Sequence, residues 1–374
     1  MSLILSPPFG HAPMAGMTDT AFRRLVKRRG GCGLVVTEMV SSEGLVRGID
    51  KTLEHAEFTE EERPVSVQIF GGEPEKMARA AQVVERLGAD AVDVNMGCPV
   101  PKISKHNAGC SLMREPGQAA SIVAAMTAAV RIPVTVKMRA GWDDRQVNAP
   151  DLARAVEAAG AAAITVHGRT AVQSYSGWAD WDLIARVAAS VSIPVFGNGD
   201  CVEPADLCRR LRESGVAGVL VGRGVLRNPW IFAQAAALAA GQPPPEVTLE
   251  DRGRFLLEYI DLLLRDPADD PAGFRHRAGQ EGGGRRAEGG NERTGEGREA
   301  EGGAVTGSAR PRPPQAADAP ATGRDRHVIN KLRALSAWYT RGFENGSHLR
   351  LTINRTHSLE GLRSTITEFF RLGR

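Results

Sequence analysis

Two kinds of residue in this chain have the types and spacing to do chemistry. One is a cysteine in a loop of small residues, Asn95-Met96-Gly97-Cys98-Pro99. The other is a set of polar side chains that recur at the ends of short apolar runs. A free cysteine is most often a small buried apolar residue. That role suits Cys32 and Cys208 but suits Cys98 poorly, because its glycine–proline loop has too few side chains to be core. A thiol facing a cleft can be a nucleophile, a metal ligand or a proton donor. No His–Asp pair is placed to support a protease-like nucleophile, and no ligand cluster supports a metal.

The polar set is more regular. The first apolar run leads into Ala12-Pro13-Met14-Ala15-Gly16; the third carries Gln68, the fourth Asn95 and then Cys98, the fifth Lys137 and Arg139. The sixth ends in His167-Gly168-Arg169, the seventh in Asn198-Gly199-Asp200, the eighth in Gly222-Arg223-Gly224. The last two are glycine-flanked turns whose backbone N–H groups can approach a phosphate, with Arg223 adding a fixed charge. A tight turn without a ligand is the alternative. Lys137 ends a buried strand, where an ammonium is costly without an anion or dipole to face; a lysine reaching to the rim would look the same. His167 fits a ligand contact, a substrate contact or a satisfied core histidine.

The apolar runs are the elements that must position these groups. Candidate strands are Gly10–Met14, Leu34–Thr37, Val65–Phe70, Ala91–Asn95, Val134–Lys137, Ala163–Val166, Val195–Asn198 and Gly218–Val221. Helical stretches lie between them at Ala21–Arg29, Pro74–Leu87, Gln118–Val130, Asp151–Ala159, Trp181–Ala189 and Pro204–Glu213. Gly30, Gly88, Gly160 and Gly215 fall where helix C-caps are expected. Short β-branched strands alternating with helices predict a parallel sheet. Eight repeats predict an α/β fold, a closed (β/α)8 TIM barrel whose active site lies at the strands' C-terminal ends. An open doubly wound sheet explains the alternation but would need a topological break.

After Trp230 the character changes. Leu249–Leu264, Val328–Thr340 and Leu359–Phe370 read as helices too late in the chain to belong to the barrel. Residues 1–240 are therefore assigned to the barrel and 241–374 to a small C-terminal helical domain. The stretch 267–325, rich in Gly, Arg, Glu, Ala and Pro, has almost no large apolar side chains and is expected to be a disordered insertion within that domain.

Composition sets outer limits. A chain of 374 residues with 42% hydrophobic and 24% charged residues is ordinary for a globular protein. A net charge of +3 and a pI of about 8.7 permit nucleic-acid binding without arguing for it. Residues 326–374, however, hold nine Lys/Arg against three acids, a local charge of +6. Such clustering supports phosphate contacts, although a solvated helix face would look similar. Five irregularly spaced cysteines with no CxxC pair exclude a disulfide framework and a structural zinc. The N-terminus lacks a signal pattern and no run approaches the roughly 18 apolar residues of a membrane span. The expected setting is cytoplasmic, with no membrane and no metal.

Ala12-Pro13-Met14-Ala15-Gly16-Met17-Thr18-Asp19, Asn95-Met96-Gly97-Cys98-Pro99, Val166-His167-Gly168-Arg169-Thr170, Asn198-Gly199-Asp200 and Gly222-Arg223-Gly224 together resemble bacterial tRNA-dihydrouridine synthases. The likeness covers about residues 8–235 and resumes from His327 to Arg355, where Ala337-Trp338-Tyr339 and Leu349-Arg350 look like the family's helical domain. The resemblance implies bound FMN, NADPH as its transient reductant, tRNA as partner and a monomeric enzyme. It implies hydride delivery to C6 of a uridine while Cys98 protonates C5. It places flavin contacts on Pro13, Met14, Ala15, Gln68, Lys137, His167, Asn198, Gly199, Asp200, Gly222 and Arg223, and turns Asn95 and Arg139 to the uracil. Adding hydride builds an enolate that needs a proton on the other carbon, and a positioned acid supplies it. The uridine must leave its stack to reach the flavin.

Two features depart from that pattern: Cys110, where a serine or alanine is expected, and the insertion. Two other readings compete. A flavin barrel acting on a small pyrimidine or enone would work without RNA, and a non-catalytic RNA-binding protein would hold no flavin and ignore replacement of Cys98.

Overall fold

The structure is a computed structural model that describes residues 4–104, 107–265 and 323–372. Eight parallel strands form the barrel: β1 (Phe9–His11), β2 (Leu34–Val36), β3 (Val65–Phe70), β4 (Ala91–Met96), β5 (Val134–Arg139), β6 (Ala163–His167), β7 (Val195–Asn198) and β8 (Gly218–Val221). Each pairs with its sequence neighbour, β1 also pairs with β8, and Val35 of β2 aligns with Val65 of β3, so the ring closes. That closure excludes the open doubly wound sheet. A two-residue strand, Val40–Ser41, adds to the edge of β3 near its C-terminal end.

Side chains alternate across each strand. Val65, Val67, Ile69, Val92, Val94, Met96, Val134, Val136, Met138, Ile164 and Val166 face outward into one hydrophobic cluster under the helices. The residues between them (Ser66, Gln68, Asp93, Asn95, Thr135, Lys137, Thr165, His167) turn toward the barrel interior. Leu5, Ala12, Leu34, Val36, Ala163, Phe196 and Leu220 make a second, smaller apolar cluster.

The first strand is shorter than the sequence pattern predicts, ending at His11 rather than Met14. The Ala12 N–H still bonds to the Val221 carbonyl at 2.9 Å, but Pro13 has no N–H to continue the ladder. Helices Pro116–Ala129 and Ala149–Ala158 begin two residues earlier than the apolar periodicity suggests, each with a proline in the first turn, where its missing N–H is harmless. Gly30, Gly88, Gly160 and Gly215 all follow helices with positive φ, as C-terminal caps require. The helix after β8 is split into Arg223–Arg227 and Ile231–Ala239. Short helices Ser42–Val46 and Asp50–Ala56 fill the β2–β3 connection, which shows no amphipathic pattern long enough to read.

Beyond the barrel, helices Leu249–Leu264, Gly323–Tyr339, Gly346–Arg355 and Leu359–Phe369 pack together. Gly346–Arg355 has no counterpart among the helices expected from the sequence. The helix expected from Val328 begins at Gly323, so residues 323–325 belong to it; the rest of the expected insertion lies outside the described residues. The bundle's core is continuous with the barrel's. Phe22 on the first barrel helix, Thr20–Arg29, meets Phe255 and Tyr259 edge-on at 5.9 and 6.0 Å, and Phe255 stacks on Tyr339 at 5.6 Å.

Candidate active site

The C-terminal ends of the strands surround a cavity of about 390 Å³. All fourteen residues to which the family resemblance assigns a role line it: Pro13, Met14, Ala15, Gln68, Asn95, Cys98, Lys137, Arg139, His167, Asn198, Gly199, Asp200, Gly222 and Arg223. Strand register explains the convergence. Asn95 aligns with Lys137, Arg139 with His167, and His167 with Asn198, so these side chains emerge in one ring.

Cys98 sits half-buried where the chain leaves β4. Its N–H donates to the Asn95 side-chain oxygen at 2.9 Å, and the Gly97 N–H reaches the same oxygen at 3.2 Å. The Cys98 carbonyl accepts from the Cys110 N–H at 3.0 Å. Arg139 Nε donates to the Gly97 carbonyl at 2.8 Å, while its Nη1 holds the Thr170 and Ser174 carbonyls at 2.9 and 3.0 Å. Asn95 and Arg139 thus clamp the loop while lining the cavity. Burial pushes the Cys98 thiol above its ordinary range, against the pull of Arg139 and Lys137, so it carries its proton at neutral pH.

Lys137 points from β5 toward Asn198, whose side-chain oxygen lies 3.4 Å from Nζ. Burial, and then the neighbouring Arg139, depress its pKa to about 8. His167 is held well below its ordinary value by burial and by Lys137, Arg139, Arg169 and Arg223, which makes it a neutral imidazole. Its Nε2 lies 3.4 Å from Arg169 Nη1, so the uncharged nitrogen faces the guanidinium.

Asp200 is the one acid among the described residues that line the cavity. Its carboxylate takes Arg169 Nη2 at 2.8 and 2.9 Å, Arg223 Nη2 at 3.1 Å and the Ala179 N–H at 2.7 Å. Gly199 before it has φ 137°, and a Cβ there would come within 2.4 Å of the Ala179 side chain, so only glycine fits.

Sequence reasoning named Arg169 without its partner and missed three other contributors. Arg169, 2% exposed, ties Asp200 to the loop carbonyls of Ser176 and Gly177. Tyr175 lines the cavity with the Arg223 guanidinium 4.7 Å from its ring centroid. Met39 and Ser174 also line it. Arg169 is visible in the His-Gly-Arg-Thr run, but nothing in spacing shows that it reaches across to the next loop. Among the described residues no cluster of three His, Cys, Asp or Glu side chains is placed to hold a metal, and no helix is long and apolar enough to cross a membrane.

A closed parallel barrel with a polar cavity at the strands' C-terminal ends defines a TIM-barrel enzyme. A family model described as dihydrouridine synthase matches residues 11–272. A probable tRNA-dihydrouridine synthase from Rhodobacter capsulatus is 47% identical over 266 residues, 70% of this chain and 82% of that protein. One from Rickettsia bellii is 43% identical over 68% of this chain and 78% of its own. A tRNA-dihydrouridine synthase B from Xanthomonas axonopodis pv. citri is 43% identical over 69% and 78%. The chain belongs to the dihydrouridine synthase family.

Proposed function

We propose that this chain reduces tRNA uridines to 5,6-dihydrouridine, using bound FMN that NADPH re-reduces, with Cys98 as the acid that protonates C5. The observation that carries the reading is a cysteine whose loop backbone is held by Asn95, Arg139 and Cys110, at the wall of a cavity otherwise rich in cations.

The residues present fit the flavin. The cavity falls in the size range of small-molecule sites. Arg223, tethered by Asp200, and the glycine-flanked turns at Gly199 and Gly222 suit a phosphate. Lys137 suits an electron-rich ring whose negative charge rises on reduction, with Gln68, Asn198 and neutral His167 as polar edges and Pro13–Ala15 as the apolar wall. FMN, when bound, supplies the hydride. Asn95 and Arg139 present the Cys98 loop to the substrate face, and the thiol holds its proton until the pyrimidine ring carries negative charge.

The helical domain supports RNA as substrate. Lys331 reaches the Gly16 carbonyl at 3.0 Å, which sets the bundle beside the first strand-end loop. Trp178 and Tyr175, 84% and 55% exposed, offer rings for bases at the rim. The bundle's charge is partly committed within the fold: Lys331 pairs with Asp19, Arg363 with Asp261, and Arg333 bonds to the Thr356 carbonyl.

The test is purification followed by turnover. The protein should be yellow, release FMN on denaturation, and form dihydrouridine in tRNA with NADPH. A colourless protein that takes up no FMN would overturn the proposal; so would turnover of a free pyrimidine at the same rate as tRNA.

A further inference from the structure

From the cavity wall down into the barrel, four side chains form one hydrogen-bonded line. Thr135 donates its hydroxyl to one oxygen of Asp93 at 2.6 Å, and Gln68 Nε2 donates to the other at 2.7 Å. Gln68 Oε1 accepts from Asn95 Nδ2 at 2.7 Å. Asn95 Oδ1 then takes the N–H groups of Gly97 and Cys98. Strand register builds the line: Gln68 aligns with Asp93 and Asp93 with Thr135, all on inward positions. Asp93 is 5% exposed and is not among the residues lining the main cavity.

The order of donors and acceptors matters. A side-chain amide has a donating and an accepting end of nearly equal size, so its orientation is set by what it faces. Both oxygens of Asp93 accept, although burial raises its carboxyl above the ordinary range against the hydrogen bonds from Gln68 and Thr135 and the charge of Lys137. That fixes the nitrogen of Gln68 toward Asp93 and its oxygen toward Asn95, which in turn fixes the nitrogen of Asn95 toward Gln68 and its oxygen toward the loop. At the far end two backbone N–H groups can only donate, so both ends of the line demand the same orientation. Turn Gln68 over and Asn95 must follow, which would point an NH₂ at two N–H donors and release the loop.

We infer that Asp93 is a positioning residue for Cys98: its carboxylate orients the Gln68 and Asn95 amides and so holds the Cys98 loop at the cavity wall. The inference rests on the reading of Cys98 as the acid, but its geometry does not depend on that reading.

The experiment measures alkylation of Cys98 by iodoacetamide, followed on its peptide by mass spectrometry, together with tRNA uridine reduction. Asp93→Leu removes the acceptor; Asp93→Asn retains one oxygen for Gln68 and can turn its nitrogen to the Thr135 hydroxyl. Gln68→Met cuts the line at its middle and is read by alkylation alone. Asp93→Leu and Gln68→Met should raise the Cys98 alkylation rate about fivefold, and Asp93→Leu should lower kcat about tenfold with little change in KM. Asp93→Asn should stay within about twofold of the parent on both readings. An Asp93→Leu protein that melts normally and alkylates Cys98 at the parent rate overturns the inference, as does an Asp93→Asn protein that behaves like Asp93→Leu. If Asp93→Leu does not fold, unchanged alkylation in Gln68→Met overturns it equally. Full reduction by Cys98→Ala would sink the catalytic reading instead, leaving the alkylation result to decide on Asp93.

Discussion

Two lysines withdrawn from solvent, one at the barrel mouth and one at the seam with the helical bundle, sit in opposite electrostatic surroundings. Lys331 crosses the seam to Asp19 at 2.9 Å and faces Glu38 at 3.8 Å. Burial alone would lower its pKa, but Asp19 and Glu38 outweigh it and raise the ammonium above its usual range. Asp19 is held below the ordinary carboxylate range in spite of burial, by Lys331 and by the hydrogen bonds it accepts, including one from Tyr259 at 2.8 Å. Glu38 in turn accepts the Gly16 N–H at 2.7 Å. Each of these charges has an opposite within the fold. Lys137 has none so close: burial disfavours its charge, Arg139 repels it, and Asp93 offsets this only in part. A site that leaves a cation short of anions inside the protein is built for one that arrives from outside.

The comparison breaks most sharply on function against stability. Cys98→Ala should lose uridine reduction by about a hundredfold or more, the usual scale of a positioned acid, while FMN content and melting stay unchanged. Wild-type turnover would show that another group supplies the proton. Lys331→Met should do the reverse. It strands Asp19 and Glu38 without their cation, a loss of about 3 kcal/mol by urea unfolding. FMN retention should weaken in second place, because the Gly16 loop loses its tether. Lys137→Met removes a charge that burial and Arg139 disfavour more than Asp93 favours it, so its unfolding midpoint should equal or exceed the parent's. If both lysine variants lose equal stability, the contrast between the two regions fails.

A pH series sharpens the same contrast. The folded pKa of Lys137, about 8, lies below the unfolded value of about 10.4. The folded state therefore binds fewer protons than the unfolded chain between these values, and the Lys137 contribution to stability rises with pH across that window. Lys331 has the opposite sign: its contribution is complete below the unfolded pKa and is lost as pH rises through its raised folded value. For FMN, the ammonium that attracts it is present below about pH 8. Affinity should fall above that pH by up to about tenfold per unit, and Lys137→Met should flatten the slope. Fluorescence titration of FMN on either side of that pKa measures it. A slope unchanged in Lys137→Met would assign the titration to another group.

Much of the mouth was legible because strands advertise their faces. Val-Ser-Val-Gln, Val-Asp-Val-Asn, Val-Thr-Val-Lys and Ile-Thr-Val-His alternate with period two, and the polar members reach the interior as that period requires. The glycine turns after β7 and β8 were legible for the same local reason. Partners were not. Arg169 meets Asp200 across 31 residues, and Lys331 meets Asp19 across 312, pairings that only closure of the ring and docking of the bundle create. Asp93 escaped notice because a lone acid in a strand does not say which neighbour it orients. The helices at Ser42–Val46 and Asp50–Ala56 escaped because pieces so short carry too few turns to set a period, and Gly346–Arg355 because its large apolar residues, Leu349, Leu351 and Ile353, alternate instead of following a helical period.

The smallest expected effect concerns the second thiol beside the site. Cys110 donates its backbone N–H to the Cys98 carbonyl, yet its side chain is 1% exposed, and burial pushes its thiol up to about 11. Alkylation needs a thiolate that solvent can reach, and Cys110 offers neither near neutral pH. Since the contact to Cys98 is made by backbone, Cys110→Ala should keep it and leave uridine reduction within about twofold, with about 1 kcal/mol lost from the small cavity. Labelling of the folded protein should then mark Cys98 and spare position 110, while denaturant exposes both. Alkylation of Cys110 before Cys98 in the native protein would mean that the loop opens further than its three clamps allow, and that the thiol at the mouth is less fixed than the lysine at the seam.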